Sequence, residues 1–418
     1  MISLRHRPAR PPSRWRRPLV LALTVTVLAV GLMAGVVAVS LARSETCSGS
    51  APLPTPPATG RVATTGVIGH PFAVAVTPDG QAAFASLGAW WPGDPNGLQV
   101  FRRGPDGLRP VAIIPLHSAA GGLAVTPDGR LLLAALDDRV QVLDATRAAA
   151  GDLGAVLGAV ATSPGAGTRD LAIAGDRYVL AADRSAGRVT VLDLPRIAAG
   201  DYGPSAQLGA VDVDLRPGGL AVSPDGRYAF VVSEVQRPVL SLAPTDAAYG
   251  LLAGLGVLRR AGTLAVIDLS RVEVNPLGAV RARVSAGCSP AQVAISPDGG
   301  TAWVTARQSN ELLAYRVDRL LAEGPPPAPA ARVRLAAAPA AIRLVDGGRY
   351  ALVAHAGDAR RVSVIDTTAA LVGRPAVRSE LPVGDGASEI AVSADHRVAY
   401  VANNGSSTLT AIDLTALR

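Results

Sequence analysis

The sequence predicts an all-β fold, a seven-bladed β-propeller behind an N-terminal transmembrane helix. Three observations predict it. Turn signals recur at a near-constant spacing down most of the chain. Each period holds enough short β-prone runs for four strands. A single long uncharged apolar stretch precedes the repeats.

The clearest copy of the repeat is residues 220–232. An apolar run leads into Ser223-Pro224-Asp225-Gly226, and a second run bearing Tyr228 and Phe230 follows. Proline presets φ in the turn, aspartate bonds its own backbone and glycine accepts the last position, so the unit reads as a hairpin. The turn aspartates are Asp79, Asp128, Asp176, Asp225, Asp298, Asp346 and Asp395, spaced by 49, 48, 49, 73, 48 and 49 residues. A period of this size signals a repeat architecture. A third run closes on an aspartate in most periods, as at Asp144, Asp193, Asp268, Asp366 and Asp413, and a fourth run such as residues 332–335 follows. Four strands repeated seven times make a propeller. The last period lacks its fourth strand, and residues 61–68 are the candidate to supply it, which would close the ring and remove its open edge.

Tyr400-Val401-Ala402-Asn403-Asn404, set between Asp395 and Asp413, resembles the YVTN-type (YncE-like) propeller repeat, with Trp303-Val304-Thr305-Ala306 a looser match. The resemblance spans residues 61–415 and implies the propeller fold. Its known members include binding proteins, subunits of periplasmic redox enzymes and lactone hydrolases. The motif's asparagine is replaced in the other repeats by Leu87, Leu136, Asp183, Ser233, Ala306 and His355.

Four segments follow from reading the chain in order. Residues 1–17 are rich in arginine, and 18–42 form a membrane anchor or signal segment. Residues 43–60 make a proline-rich, semi-rigid linker, and 61–418 the propeller. The formal net charge is +7, but seven arginines against Glu45 alone in the first 46 residues contribute +6 of it. The remainder, with 33 basic and 32 acidic residues, is balanced and carries no electrostatic footprint for nucleic acid. Residues 19–41 carry no charge, and a helix needs about 20 residues to cross a bilayer. A cleaved signal with its cut near Ser40-Leu41-Ala42 is the alternative. Either reading keeps the arginine-rich end cytoplasmic and exports the propeller, anchored in one case and secreted in the other.

Cys47 and Cys288 are the only cysteines. In an oxidising compartment they could pair and tie the linker to one propeller face; the other reading is two unrelated thiols. Two further features depart from the period. Residues 89–96, with Trp90 and Trp91, intrude between the second and third strands of repeat one. About 25 extra residues, including Tyr249, lie between Glu234 and Gly262. Loops between second and third strands emerge on the face that also carries the blade-to-blade links, so both insertions crown one face. Long loops on a rigid scaffold commonly carry function, although tolerated drift yields them too. Exposed tryptophan favours a contact surface.

No catalytic string appears: no Gly-x-Ser-x-Gly elbow, no His-Glu-x-x-His, no phosphate loop, no haem site. The recurrent aspartates read as turn formers and strand terminators, not as calcium ligands, and no metal or other cofactor is expected. One geometric constellation remains. Positions ending second strands and opening blade links converge on the channel mouth, and they include His70, Arg169, Asp170, Asp183, Arg184, Glu234, Arg307, His355, Glu389, Asn403 and Asn404. Such groups could bind an anionic or sugar-like ligand, or could pair among themselves as solvated loop residues. The expected function is a membrane-tethered extracytoplasmic binding or scaffold module. Trp90, Trp91 and Tyr249 would face its partner, an envelope protein or glycan. The alternative is a lactonase-like hydrolase or a redox-enzyme subunit using the mouth.

Overall fold

A computed structural model describes residues 62–88, 93–104, 107–236 and 261–417, all within one compact unit formed by Thr46–Arg237 and Pro244–Arg418. Among the described residues, seven four-stranded antiparallel sheets follow one another. The inner strands, where each blade starts, are His70–Val76, Leu123–Val125, Thr168–Ala174, Leu215–Val222, Pro290–Ile295, Pro339–Val345 and Ala387–Val392. Neighbouring inner strands contact one another around the axis, the seventh against the first.

The ring closes as the repeat arithmetic requires. Val62–Gly66 is the outer strand of blade seven, antiparallel to Thr408–Asp413, with Val62 opposite Ile412 and Gly66 opposite Thr408. Thr64 Oγ1 and Thr410 Oγ1 lie 3.4 Å apart across this pair.

Each Ser/Thr-Pro-Asp-Gly turn builds the same small network. In the fourth blade Ser223 Oγ donates to Asp225 Oδ1 at 2.5 Å, and the same oxygen accepts from Arg227 N at 3.0 Å. Gly226 N donates to Ser223 O at 2.8 Å with φ at 70°, a left-handed value natural to glycine. The hydroxyl that donates to it first, then the backbone N–H, holds the Asp225 carboxyl below the usual range, and Asp79, Asp128, Asp298 and Asp395 follow the same pattern. These five turn aspartates therefore do the local work read from the sequence. The third-strand aspartates do more than end a strand. Asp144, Asp193 and Asp366 each accept from a backbone N–H three residues on, capping the short helices Ala145–Ala149, Leu194–Ala198 and Thr367–Leu371.

The core lies between blades. Seven apolar clusters fill the seven interfaces, and the period-2 alternation of strands feeds two at once. In the second strand of blade four, Ala229 and Val231 face blade three, while Phe230 and Val232 face blade five. Both faces are covered, so central strands read as unbroken apolar runs. Each fully buried valine or leucine adds roughly 1.5–3 kcal/mol.

Both insertions join second to third strands: residues 89–96 lie between Ala82–Gly88 and Gly97–Gly104, and residues 236–262 between Tyr228–Val235 and Thr263–Asp268. Gln236 N donates to Ala261 O at 3.4 Å across the base of the fourth-blade loop. Trp90, Trp91 and Tyr249 themselves lie outside the described residues, as do Cys47 and the segments 1–17, 18–42 and 43–60. Among the described residues no helix is long and apolar enough to cross a membrane. Cys288 is 5% exposed and disulfide-bonded.

Candidate functional site

The inner strands open at the axis through a repeated irregularity. Pairing register shifts between Thr168 and Asp170, Pro217 and Leu220, Pro290 and Gln292, and Ala387 and Glu389. A bulge of this kind re-aims side chains. Here it lies beside a cavity of about 580 Å³ whose lining brings together seven of the sequence candidates: Arg169, Asp170, Arg184, Glu234, Arg307, Glu389 and Asn404.

The upper part of this cavity is built around Glu234. Its Oε2 accepts from Arg184 Nη2 at 3.0 Å and lies 3.5 Å from Arg216 Nε, while Oε1 accepts from Arg307 Nη2 at 3.4 Å. Burial raises the Glu234 carboxyl, but Arg184 first, with Arg216 and Arg307, more than reverses this and holds it below its ordinary value. Arg169 completes the group, its guanidinium carbon 3.7 Å from the centre of the Phe72 ring. Burial and then the Arg184 charge lower its pKa to about 10, still well above neutrality. Four guanidiniums thus surround one carboxylate.

The lower part carries the acids. Glu389 Oε1 lies 2.8 Å from Arg343 Nη2 and accepts from Ile390 N at 3.0 Å, and Oε2 accepts from Gln292 Nε2 at 3.1 Å. Asp170 accepts from Leu171 N at 2.9 Å and from Leu220 N at 3.1 Å. Its carboxyl is pushed up to about 7 by burial and then by the Glu389 charge.

The structure does not bring Asp183, His355, Asn403 or His70 into the cavity lining. The first three end second strands, and alternation turns them into the blade while the next residue, such as Arg184 or Asn404, faces the mouth. Asp183 accepts from Thr190 Oγ1 at 2.5 Å and Thr168 Oγ1 at 2.8 Å. Burial nevertheless raises its pKa. Asn403 Nδ2 donates to Thr410 Oγ1 at 2.9 Å. His355 is fully buried, with Nδ1 2.6 Å from Ala337 O and Nε2 2.6 Å from Ser363 Oγ. Burial drives its pKa down to about 4, so the ring is neutral. His70 sits at the rim, Nδ1 2.7 Å from Asn404 O and Nε2 3.6 Å from Asp94.

Sequence reasoning missed Arg216 and Gln292. Both were recoverable from register. Arg216 precedes Pro217 as His70 precedes Pro71, and Gln292 occupies the repeat position of Asp170 and Glu389.

No family model matches the sequence, and no curated protein matches it either. Solved structures do match by shape. A chain of the structure titled "Kuenenia stuttgartiensis Hydrazine Synthase" aligns with a TM-score of 0.59 at 16% identity, covering 84% of this chain and 96% of that one. A chain of "Crystal Structure of Mitotic Checkpoint Complex" aligns at 0.62 and 12% identity, covering 89% and 98%. At such low identity the likeness shows the architecture alone: the chain is a seven-bladed β-propeller.

Proposed function

We infer that this propeller is a binding module, and that its mouth takes a small ligand bearing an anionic group. One observation carries the reading: Arg169, Arg184, Arg216 and Arg307 stand around the single carboxylate of Glu234 at the opening of a concave cavity. Guanidiniums bind carboxylate or phosphate through forked donors, and low-dielectric walls focus their field. Glu234 holds three of them in place before a ligand arrives, which lowers the ordering cost of binding.

The wider setting is a proposal of the same kind. The uncharged stretch 19–41 supports an anchored or exported propeller, and Tyr400-Val401-Ala402-Asn403-Asn404 supports the YVTN type. The two insertions, bearing Trp90, Trp91 and Tyr249, would meet an envelope partner on the mouth face. Because the chain has only two cysteines and Cys288 is disulfide-bonded, a Cys47–Cys288 bridge would tie the linker to that face. A hydrolase using the same mouth is the second reading, supported by the raised Asp170 carboxyl as an acid–base group. Turnover of a lactone panel, lost on Asp170→Asn, would favour it.

The binding reading is tested by calorimetry on the full-length protein with sugar acids and their neutral parent sugars. Sugar acids are expected to bind, and Arg184→Gln with Arg307→Gln to weaken them at least about tenfold. Equal binding of the neutral sugars, or no effect of the double variant, would overturn it.

A further inference from the structure

Beneath the guanidiniums, three acceptors from three different blades gather: the carboxyls of Asp170 and Glu389 and the amide oxygen of Gln292. Gln292 is 7% exposed. Its Nε2 donates to Glu389 Oε2 at 3.1 Å, and since an ionised carboxylate only accepts, this contact fixes which way the amide points. Oε1 is thereby turned away from Glu389, and no described residue donates to it. It lies over Gly219, where a Cβ would come within 2.1 Å of it. The next residue on that strand, Leu220, donates its N–H to Asp170 Oδ2, so the Gln292 oxygen and the Asp170 carboxyl adjoin. A buried acceptor left without a donor costs about 1–3 kcal/mol, which a ligand's donor would recover.

The charges of this floor also seek a partner. Asp170 faces Glu389, Arg343 and Arg169; Arg343 lies 2.8 Å from Glu389 Oε1. Asp170 and Glu389 therefore share Arg343, and Asp170 also meets the Arg169 charge.

We propose that the floor receives the primary ammonium of a zwitterionic ligand whose anionic end lies among Arg169, Arg184, Arg216 and Arg307. This rests on the mouth reading and adds the chemical class of the ligand. An ammonium brings three donors for three acceptors and a positive charge beside two carboxyls. A hydroxyl brings one donor and no charge. Without ligand, burial and then the Glu389 charge hold a proton on Asp170 part of the time, as its elevation to about 7 reflects. Binding then proceeds as Asp170–COOH plus R–NH₃⁺ giving the carboxylate–ammonium pair and one free proton.

The test is calorimetry of the full-length protein with ω-amino acids from glycine to 6-aminohexanoate, each against its unaminated carboxylate. Two buffers of different ionisation enthalpy report proton release. The best zwitterion is expected to bind about tenfold more tightly than its plain acid. It should release roughly half a proton per site at pH 7 and none at pH 9. Asp170→Asn should bring the affinity ratio near one and abolish the release, with its melting curve confirming a folded protein. If plain acids bind as tightly as zwitterions, or Asp170→Asn keeps the preference, the ammonium site is overturned and the mouth reading stands. If neither class binds at millimolar concentration, both fall.

Discussion

Gln292 of the fifth blade donates its amide N–H to the Glu389 carboxylate of the seventh at 3.1 Å, reaching past the sixth. The apolar clusters join neighbouring blades, whereas this contact, like the Arg169 guanidinium of the third blade over the Phe72 ring of the first, couples two that are not adjacent. Room for the Gln292 side chain comes from the equivalent inner-strand position on blade four, Gly219, where a Cβ would fall 2.1 Å from Gln292 Oε1.

Gly219→Ala should break that arrangement. The added Cβ would fall 2.1 Å from Gln292 Oε1 and 2.8 Å from the Ala291 carbonyl oxygen, and the backbone there has little freedom to yield. A loss of about 1–3 kcal/mol is expected from denaturant unfolding, with weakened ligand binding. Substitution at Gly226, where nothing lies within 4 Å but φ is 70°, provides the contrast: strain in the turn without effect on the site.

The closing strand pairs in a defined register, which a disulfide can read. Ala63 stands opposite Ala411. A chain carrying Ala63→Cys and Ala411→Cys should form that bond on oxidation, detected by peptide mapping, and gain about 2–4 kcal/mol. A slip of one residue would send the two side chains to opposite faces, and no bond would form.

His355 predicts a stability slope with pH. The folded protein keeps this ring neutral by lowering its pKa from 6.5 to about 4. Its contribution is therefore full above about pH 6.5 and is lost as pH falls toward 4, amounting to about 3 kcal/mol. Glu380, which accepts from Ser363 Oγ at 2.9 Å, is raised by burial and has the opposite sign: its contribution is greatest in acid and fades as pH rises. Melting curves between pH 4 and 7 on His355→Gln and Glu380→Gln should flatten the two slopes separately. An unchanged acid-side slope in His355→Gln would contradict the buried neutral ring.

Glu234→Gln isolates the role of the internal anion. Removing the negative charge leaves four guanidiniums without the carboxylate that three of them contact. Anion affinity is expected to rise several-fold at low salt and to fall more steeply with ionic strength than in the parent. The same change should lower stability by about 1–3 kcal/mol, since like charges then crowd one opening.

The repeat made most of the fold legible. Seven turn aspartates fixed the blade count, and the missing fourth strand of the last period pointed to residues 61–68, within which Val62–Gly66 pair. The short helices capped by Asp144, Asp193 and Asp366 were not legible, because helices of five residues carry too little periodicity to separate from a loop. At the mouth, spacing located the right positions to within one residue. That margin is what separated Arg184 from Asp183 and Asn404 from Asn403. Side chains reverse face at each step along a strand, so a one-residue uncertainty decides between lumen and blade interior. Gln292 escaped notice because an amide draws less attention than the carboxyls at its sister positions.

Pairing between Val62–Gly66 and Thr408–Asp413 joins residues more than three hundred apart in sequence. During synthesis the early partner waits, its hydrogen-bonding edge bare, until residues 408–413 have emerged. Assembly is thus expected to finish in one late, slow step with high contact order. A ribosome stalled before residue 408 would leave six nearly complete sheets and an unclosed circle, the form of this molecule most exposed to strand-edge aggregation and to quality-control proteases.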